Sequence, residues 1–92
     1  MIYTIITSKE VDENITFLKK SEIFAYHKVK KLFEELQEHP RTGTGKPELM
    51  KHGKFKGLWS RRITSKHRLV YSIKDDEIIV LILSAKGHYE DK

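Results

Sequence analysis

Cysteine is absent from this sequence and proline occurs only twice. Without cysteine the chain can hold neither a disulfide nor a thiolate metal site, so nothing in it requires an oxidising compartment. Long apolar runs are missing too: the longest, IIVLIL from Ile78 to Leu83, is far below the roughly 20 residues that span a bilayer. The first residues also lack the basic, apolar, small-residue order of a secretory signal. A soluble, intracellular protein with no membrane partner is expected. Arginine is scarce beside lysine, four against fourteen, which makes its placement informative. Three of the four, Arg61, Arg62 and Arg68, fall in one stretch, GLWSRRITSKHRLVYSI, from Gly57 to Ile73.

What is present bounds the rest. The 92 residues suit one domain, residues 1–92, with a core that buries about 60–65% of the unfolded chain's surface. A net charge of +5 favours an acidic partner such as nucleic acid by general attraction, although a lysine-rich solvated face explains the same number.

Met1 to Thr7, MIYTIIT, is β-branched and aromatic and reads as a strand. Thr7 and Glu10 have capping-box spacing, and Val11, Ile15 and Leu18 then form one apolar stripe, so a helix is expected next. Ser21 is placed to cap a second helix, with Ile23, Tyr26, Val29, Phe33 and Leu36 on its inner side and Glu35 mainly outward. Pro40 ends it near His39. Residues 41–57 lose all periodicity and carry four of the five glycines, which describes a long basic loop; such loops in small domains tend to carry function. Strands are expected at Leu58 to Thr64, His67 to Ile73 and Glu77 to Ala85, an antiparallel meander whose last strand is central. The expected fold class is α+β, with two helices on one face of a four-stranded, mainly antiparallel sheet.

Parity sharpens the arginine question, because neighbours on a strand face opposite ways. If the hairpin closes through Thr64 to Lys66, Ile63 pairs with His67 and Arg62 lies across from Arg68. Trp59, Ile63, Leu69, Tyr71 and Ile73 then share the other face, with Arg61 as its one awkward member and no evident partner. Two readings of Arg62 and Arg68 stand at this point: a fork that grips an anion bidentately, or two exposed arginines answered by carboxylates from elsewhere. Glu48 in GTGKPELMK, and His88 with Tyr89 in KGHYEDK, are either surface residues or a general base, a general acid and a substrate contact. Together with the arginines they suit RNA cleavage by the neighbouring 2′-OH, with cations stabilising the phosphorane. His27, His39, His52, His67 and His88 show no close ligand spacing, and GTGKPE lacks a phosphate-loop pattern.

GTGKPELMKH, GLWSRRITSKHRLVYSI and the terminal HY, in that order, resemble the YoeB/Txe toxins of bacterial toxin–antitoxin systems, within the RelE/ParE superfamily. The resemblance covers nearly the whole chain and implies a RelE-like fold. It implies a ribosome-dependent mRNA endonuclease that needs no cofactor and cuts the message in the decoding site. Carried over by motif, Glu48 would be the general base and His88 the general acid, with Arg68 on the phosphate and Arg62 and Lys51 supporting it. Tyr89 would stack on a base and Lys46 would bind RNA phosphate. The implied partners are the ribosome and mRNA, a cognate YefM/Axe-like antitoxin, operator DNA through that antitoxin, and a homodimer. The chain reads AKGHY before its last three residues, Glu90, Asp91 and Lys92, so Gly87 stands where the family commonly has an aromatic. Two alternatives remain: a gyrase-binding toxin without nuclease chemistry, or an RNA- or antitoxin-binding module.

Overall fold

The computed structural model describes residues 2–87. Strand β1 (Thr4–Thr7) leads into helices α1 (Lys9–Ser21) and α2 (Ile23–Glu38); then come β2 (Glu48–Leu49), a 3-10 turn (Gly53–Phe55), β3 (Trp59–Arg62), β4 (Arg68–Lys74) and β5 (Ile79–Ser84). Among the described residues the sheet has five strands in the order β1-β5-β4-β3-β2, one more than expected. The addition is β2, two residues of the expected loop that pair antiparallel with β3 and that have too little periodicity to be read as a strand. Among these strands β1 and β5 run parallel, because both helices lie in the crossover between β1 and the rest of the sheet, and the other pairings are antiparallel.

Both helix starts differ from expectation. Ser8, not Thr7, caps α1: its hydroxyl accepts the Val11 amide at 3.1 Å, while the Thr7 hydroxyl donates to Asp12 at 2.7 Å. Ser21 is the last residue of α1, and Glu22 joins the two helices without a side-chain cap, its carboxylate being engaged elsewhere. The buried row on α2 is Ala25, Val29, Leu32 and Leu36, an i, i+4, i+7, i+11 series that turns Ile23 outward to 45% exposure and leaves Tyr26 and Phe33 half-buried. Val11 and Leu18 of α1 meet this row over Leu69, Tyr71, Val80 and Ile82, which places the core between the helices and one face of the sheet. The opposite face carries no helix among the described residues.

A register shift between Val70 and Tyr71 marks the β4–β5 pairing. Such irregularities bend a strand and re-aim the side chains near them. The chain beyond β5 turns so that the Gly87 carbonyl accepts the Arg68 amide at 3.1 Å.

Candidate functional site

The β3–β4 hairpin has the expected register. Ile63 donates its amide to the His67 carbonyl at 3.0 Å, and Arg62 stands opposite Arg68. Neither arginine amide points at the other strand. Arg62 donates to the Gly45 carbonyl at 2.7 Å and Arg68 to that of Gly87, so the two form a close, non-hydrogen-bonded pair with Cα atoms about 4.5 Å apart. Each arginine therefore holds, through its backbone, one of the segments that carries an expected acid–base residue: the loop leading to Glu48, and the chain leading to His88.

Directly opposed like charges repel, yet among the described residues no carboxylate lies within ion-pair distance of either guanidinium. Arg62 is exposed. Arg68 is half-buried; its Nη1 donates to the Ser60 hydroxyl at 3.3 Å, and its Nε is buried with no hydrogen-bond partner among the described residues. A buried N–H left in that state carries a desolvation cost that an anion's oxygen would remove. The carboxylate-answered reading thus fails for this pair among the described residues.

Glu48 pairs with Ser60, so it shares the outer face with Arg62 and Arg68 and stands diagonal to Arg62, about 7–8 Å away between Cα atoms. It belongs to β2 rather than to a loop, which fixes that facing. It also borders an open groove of about 1010 Å³ lined by Lys51, His52, Lys54, Trp59 and Ser60. Lys51 is exposed on this groove, whereas Lys46 is exposed in the preceding loop with a left-handed φ of 53°. His88 and Tyr89 lie outside the described residues. Among the described residues no group of three or more potential His, Asp or Glu ligands could hold a metal, and no helix is long and apolar enough to cross a membrane.

With this geometry in hand, the family model for the YoeB-like toxin of bacterial type II toxin-antitoxin systems matches residues 7–89. The chain belongs to the YoeB toxin family. Toxin YoeB of Escherichia coli K12 is 36% identical over 85 residues, spanning 92% of this chain and 98% of that one. A YoeB dimer from Staphylococcus aureus superposes with a TM-score of 0.81 at 30% identity, over 97% of this chain and all of that one. The YoeB of a YoeB-YefM complex from the same organism does so at 0.79 and 29%, with the same coverage.

This YoeB family member spends two further residues of the hairpin on construction, and sequence reasoning assigned neither. Arg61 is fully buried and all of its guanidinium N–H groups find acceptors. Nε donates to the Tyr71 hydroxyl at 3.0 Å, Nη1 to Glu35 Oε1 at 2.9 Å and to the Thr44 carbonyl at 3.2 Å, and Nη2 to the carbonyls of Thr42 at 2.7 Å and His39. Only guanidinium supplies five donors in one plane. Arg61 is therefore the pin that shapes residues 39–45, not a phosphate ligand. Glu35, expected outward, turns to meet it. Burial pushes the Glu35 carboxyl up, but the Thr44 hydroxyl and amide and the Arg61 charge more than offset this and leave it below the usual value. His67 is 6% exposed and bonded on both ring nitrogens. The signal available for both was parity: each falls on the apolar inner face, where a polar side chain must be partnered.

An outer brace completes the loop's support. Arg41 grips Asp75 with two hydrogen bonds, at 3.2 and 2.6 Å, and Tyr3 donates to the same carboxylate at 2.6 Å. The Arg41 and Tyr3 hydrogen bonds hold Asp75 below its usual value.

Proposed function

We propose that this toxin is a ribosome-dependent mRNA endonuclease that acts in the cytoplasm. The observation that carries the reading is the opposed Arg62–Arg68 pair, free of carboxylates among the described residues, on the same sheet face as Glu48. Glu48 accepts the 2′-OH proton of the nucleotide before the scissile bond, and the 2′ oxygen attacks the adjacent phosphorus. Arg68, through an Nε without a partner among the described residues, and Arg62 bind the non-bridging oxygens as charge grows in the phosphorane. His88 protonates the departing 5′ oxygen, leaving a 2′,3′-cyclic phosphate and a 5′-hydroxyl. Lys51 on the groove and Lys46 in the loop bind flanking phosphates, and Tyr89 stacks on a base. The scheme calls on no metal.

Partner expectations come from the relatives. The YoeB-YefM complex supports a cognate antitoxin of YefM type for this chain, and the YoeB dimer supports a homodimer of the free toxin.

Translation of a defined message in a cell-free system, with the message ends mapped afterwards, tests the reaction. Ribosome-dependent breaks within codons are expected, reduced about 10²- to 10⁴-fold by Glu48→Ala or His88→Ala. Inhibited translation with intact message, or undiminished cutting by both variants, overturns the assignment.

A further inference from the structure

The chain beyond β5 is held by contacts that the reaction scheme does not use. Ala85 donates its amide to Asn14 Oδ1 at 3.4 Å, and the Lys86 ammonium sits 4.0 Å above the Phe17 ring. Gly87 is fixed from two sides. Its carbonyl accepts the Arg68 amide, and its own amide donates to His67 Nδ1 at 2.9 Å. Because Nδ1 accepts, the ring hydrogen resides on Nε2, which donates to Glu22 Oε2 at 3.0 Å. Glu22 is both the C-cap of α1 and the N-cap of α2, and Lys66 lies 3.8 Å from its other oxygen. The His67 bond holds the Glu22 carboxyl below its usual value, despite opposing burial. A nearly buried imidazole thus bridges the helix junction to one backbone N–H, and the next residue in the sequence is His88.

We propose that His67 is a positioning residue for cleavage: oriented by Glu22, it anchors the Gly87 amide and so fixes the backbone immediately before His88, the general acid of the proposed reaction. Gly87 suits the anchor because its φ of 81° is left-handed, whereas a Cβ there would meet no atom within 4 Å among the described residues. It is chosen for backbone conformation, not for room. Two consecutive residues, His67 and Arg68 at the start of β4, therefore divide the site: Arg68 supplies the anion contact and one bond to Gly87, and His67 supplies the other. This inference rests on the endonuclease reading for its catalytic consequence and on the hydrogen bonds alone for the anchor.

Asparagine and glutamine at this position separate the two halves of the bridge. The Oδ1 of His67→Asn stands near the place of Nδ1 and can accept from Gly87. The amide of His67→Gln stands near Nε2 and reaches Glu22 instead. Amide hydrogen exchange followed by NMR, with single-turnover cleavage on programmed ribosomes, reads both. In His67→Gln the Gly87 amide is expected to exchange about tenfold faster than in the wild type, while the Val80 and Ile82 amides keep their protection. His67→Asn is expected to keep most of the Gly87 protection. The cleavage rate should fall about 10²-fold in the glutamine variant with ribosome affinity unchanged, and recover largely in the asparagine variant. Equal Gly87 exchange in the two variants, a better glutamine than asparagine, or loss of protection spread evenly over β4 and β5 overturns the proposal. A wild-type protein that leaves the message whole overturns the endonuclease reading instead, and the anchor then stands or falls on the exchange comparison alone.

Discussion

Two adjacent arginines of β3 have opposite physical situations, and substitution should separate them. Arg61 is enclosed with its five donors satisfied, so Arg61→Lys loses the planar fork and leaves several of its backbone carbonyl acceptors without a donor, while Glu35 keeps its two bonds from Thr44. A loss of about 3–5 kcal/mol in stability is expected, read by urea denaturation, since each buried acceptor left unsatisfied costs about 1–3 kcal/mol. Arg62 is exposed and faces the like charge of Arg68. Arg62→Ala relieves that repulsion and should leave stability unchanged or raised by about 0.2–1 kcal/mol, while message cutting falls. A stability loss in Arg62→Ala comparable to that of Arg61→Lys would refute the division of labour between them. Parity in the sequence distinguished these two residues. It did not show what Arg61 binds, because four of its acceptors belong to residues 35–44, far away along the chain.

At the scale of elements, the decisive unit is the segment between α2 and β3. Gly45 has a φ of 87°, and a Cβ on it would lie 2.8 Å from the Arg62 carbonyl oxygen. The same residue accepts the Arg62 amide. Gly45→Ala therefore meets both a left-handed backbone and a backbone clash, and should cost about 1–3 kcal/mol while pushing β2 off β3. Cutting should fall as Glu48 leaves the sheet face, and the change is measurable as faster exchange of the Arg62 amide. An alanine variant with wild-type melting and activity would exclude this role for the glycine. In the sequence the segment reads as a loop, because two residues are too few for alternation to declare a strand. Pairing with β3 is a tertiary event, driven by an edge that would otherwise leave its backbone groups unpaired. The long elements were legible for the converse reason: α1, α2, β4 and β5 each repeat an apolar pattern over enough residues to reveal their period. The exact face of α2 was not, since Ala25 and Leu32 compete with Ile23 and Phe33 and only packing against the sheet selects among them.

For the whole molecule, three carboxylates with lowered values tie distant parts together: Glu22 to His67, Glu35 to Thr44 and Arg61, and Asp75 to Arg41 and Tyr3. A carboxyl lowered in the folded state binds fewer protons there than in the unfolded chain at the same acid pH. Stability therefore rises with pH in that range, is complete above the unfolded values of 4.5 for glutamate and 3.8 for aspartate, and is lost as pH falls through the lowered folded values. Melting temperature is expected to hold from neutral pH to about pH 5 and to drop below it. Glu35→Gln should flatten part of that drop, and an acid profile identical to wild type would remove Glu35 from the account.

The sequence by itself determined the order of the main helices and strands, the register of the arginine hairpin and the family, because periodicity, turn length and motif order are properties of neighbours along the chain. Tertiary structure decided which carboxylate answers which arginine. It gave Glu35 to Arg61, left Arg62 and Arg68 without a carboxylate among the described residues, and set Glu48 beside them by adding a two-residue strand. These outcomes depend on groups separated by tens of residues meeting in one place, and burial, not local pattern, selects such meetings.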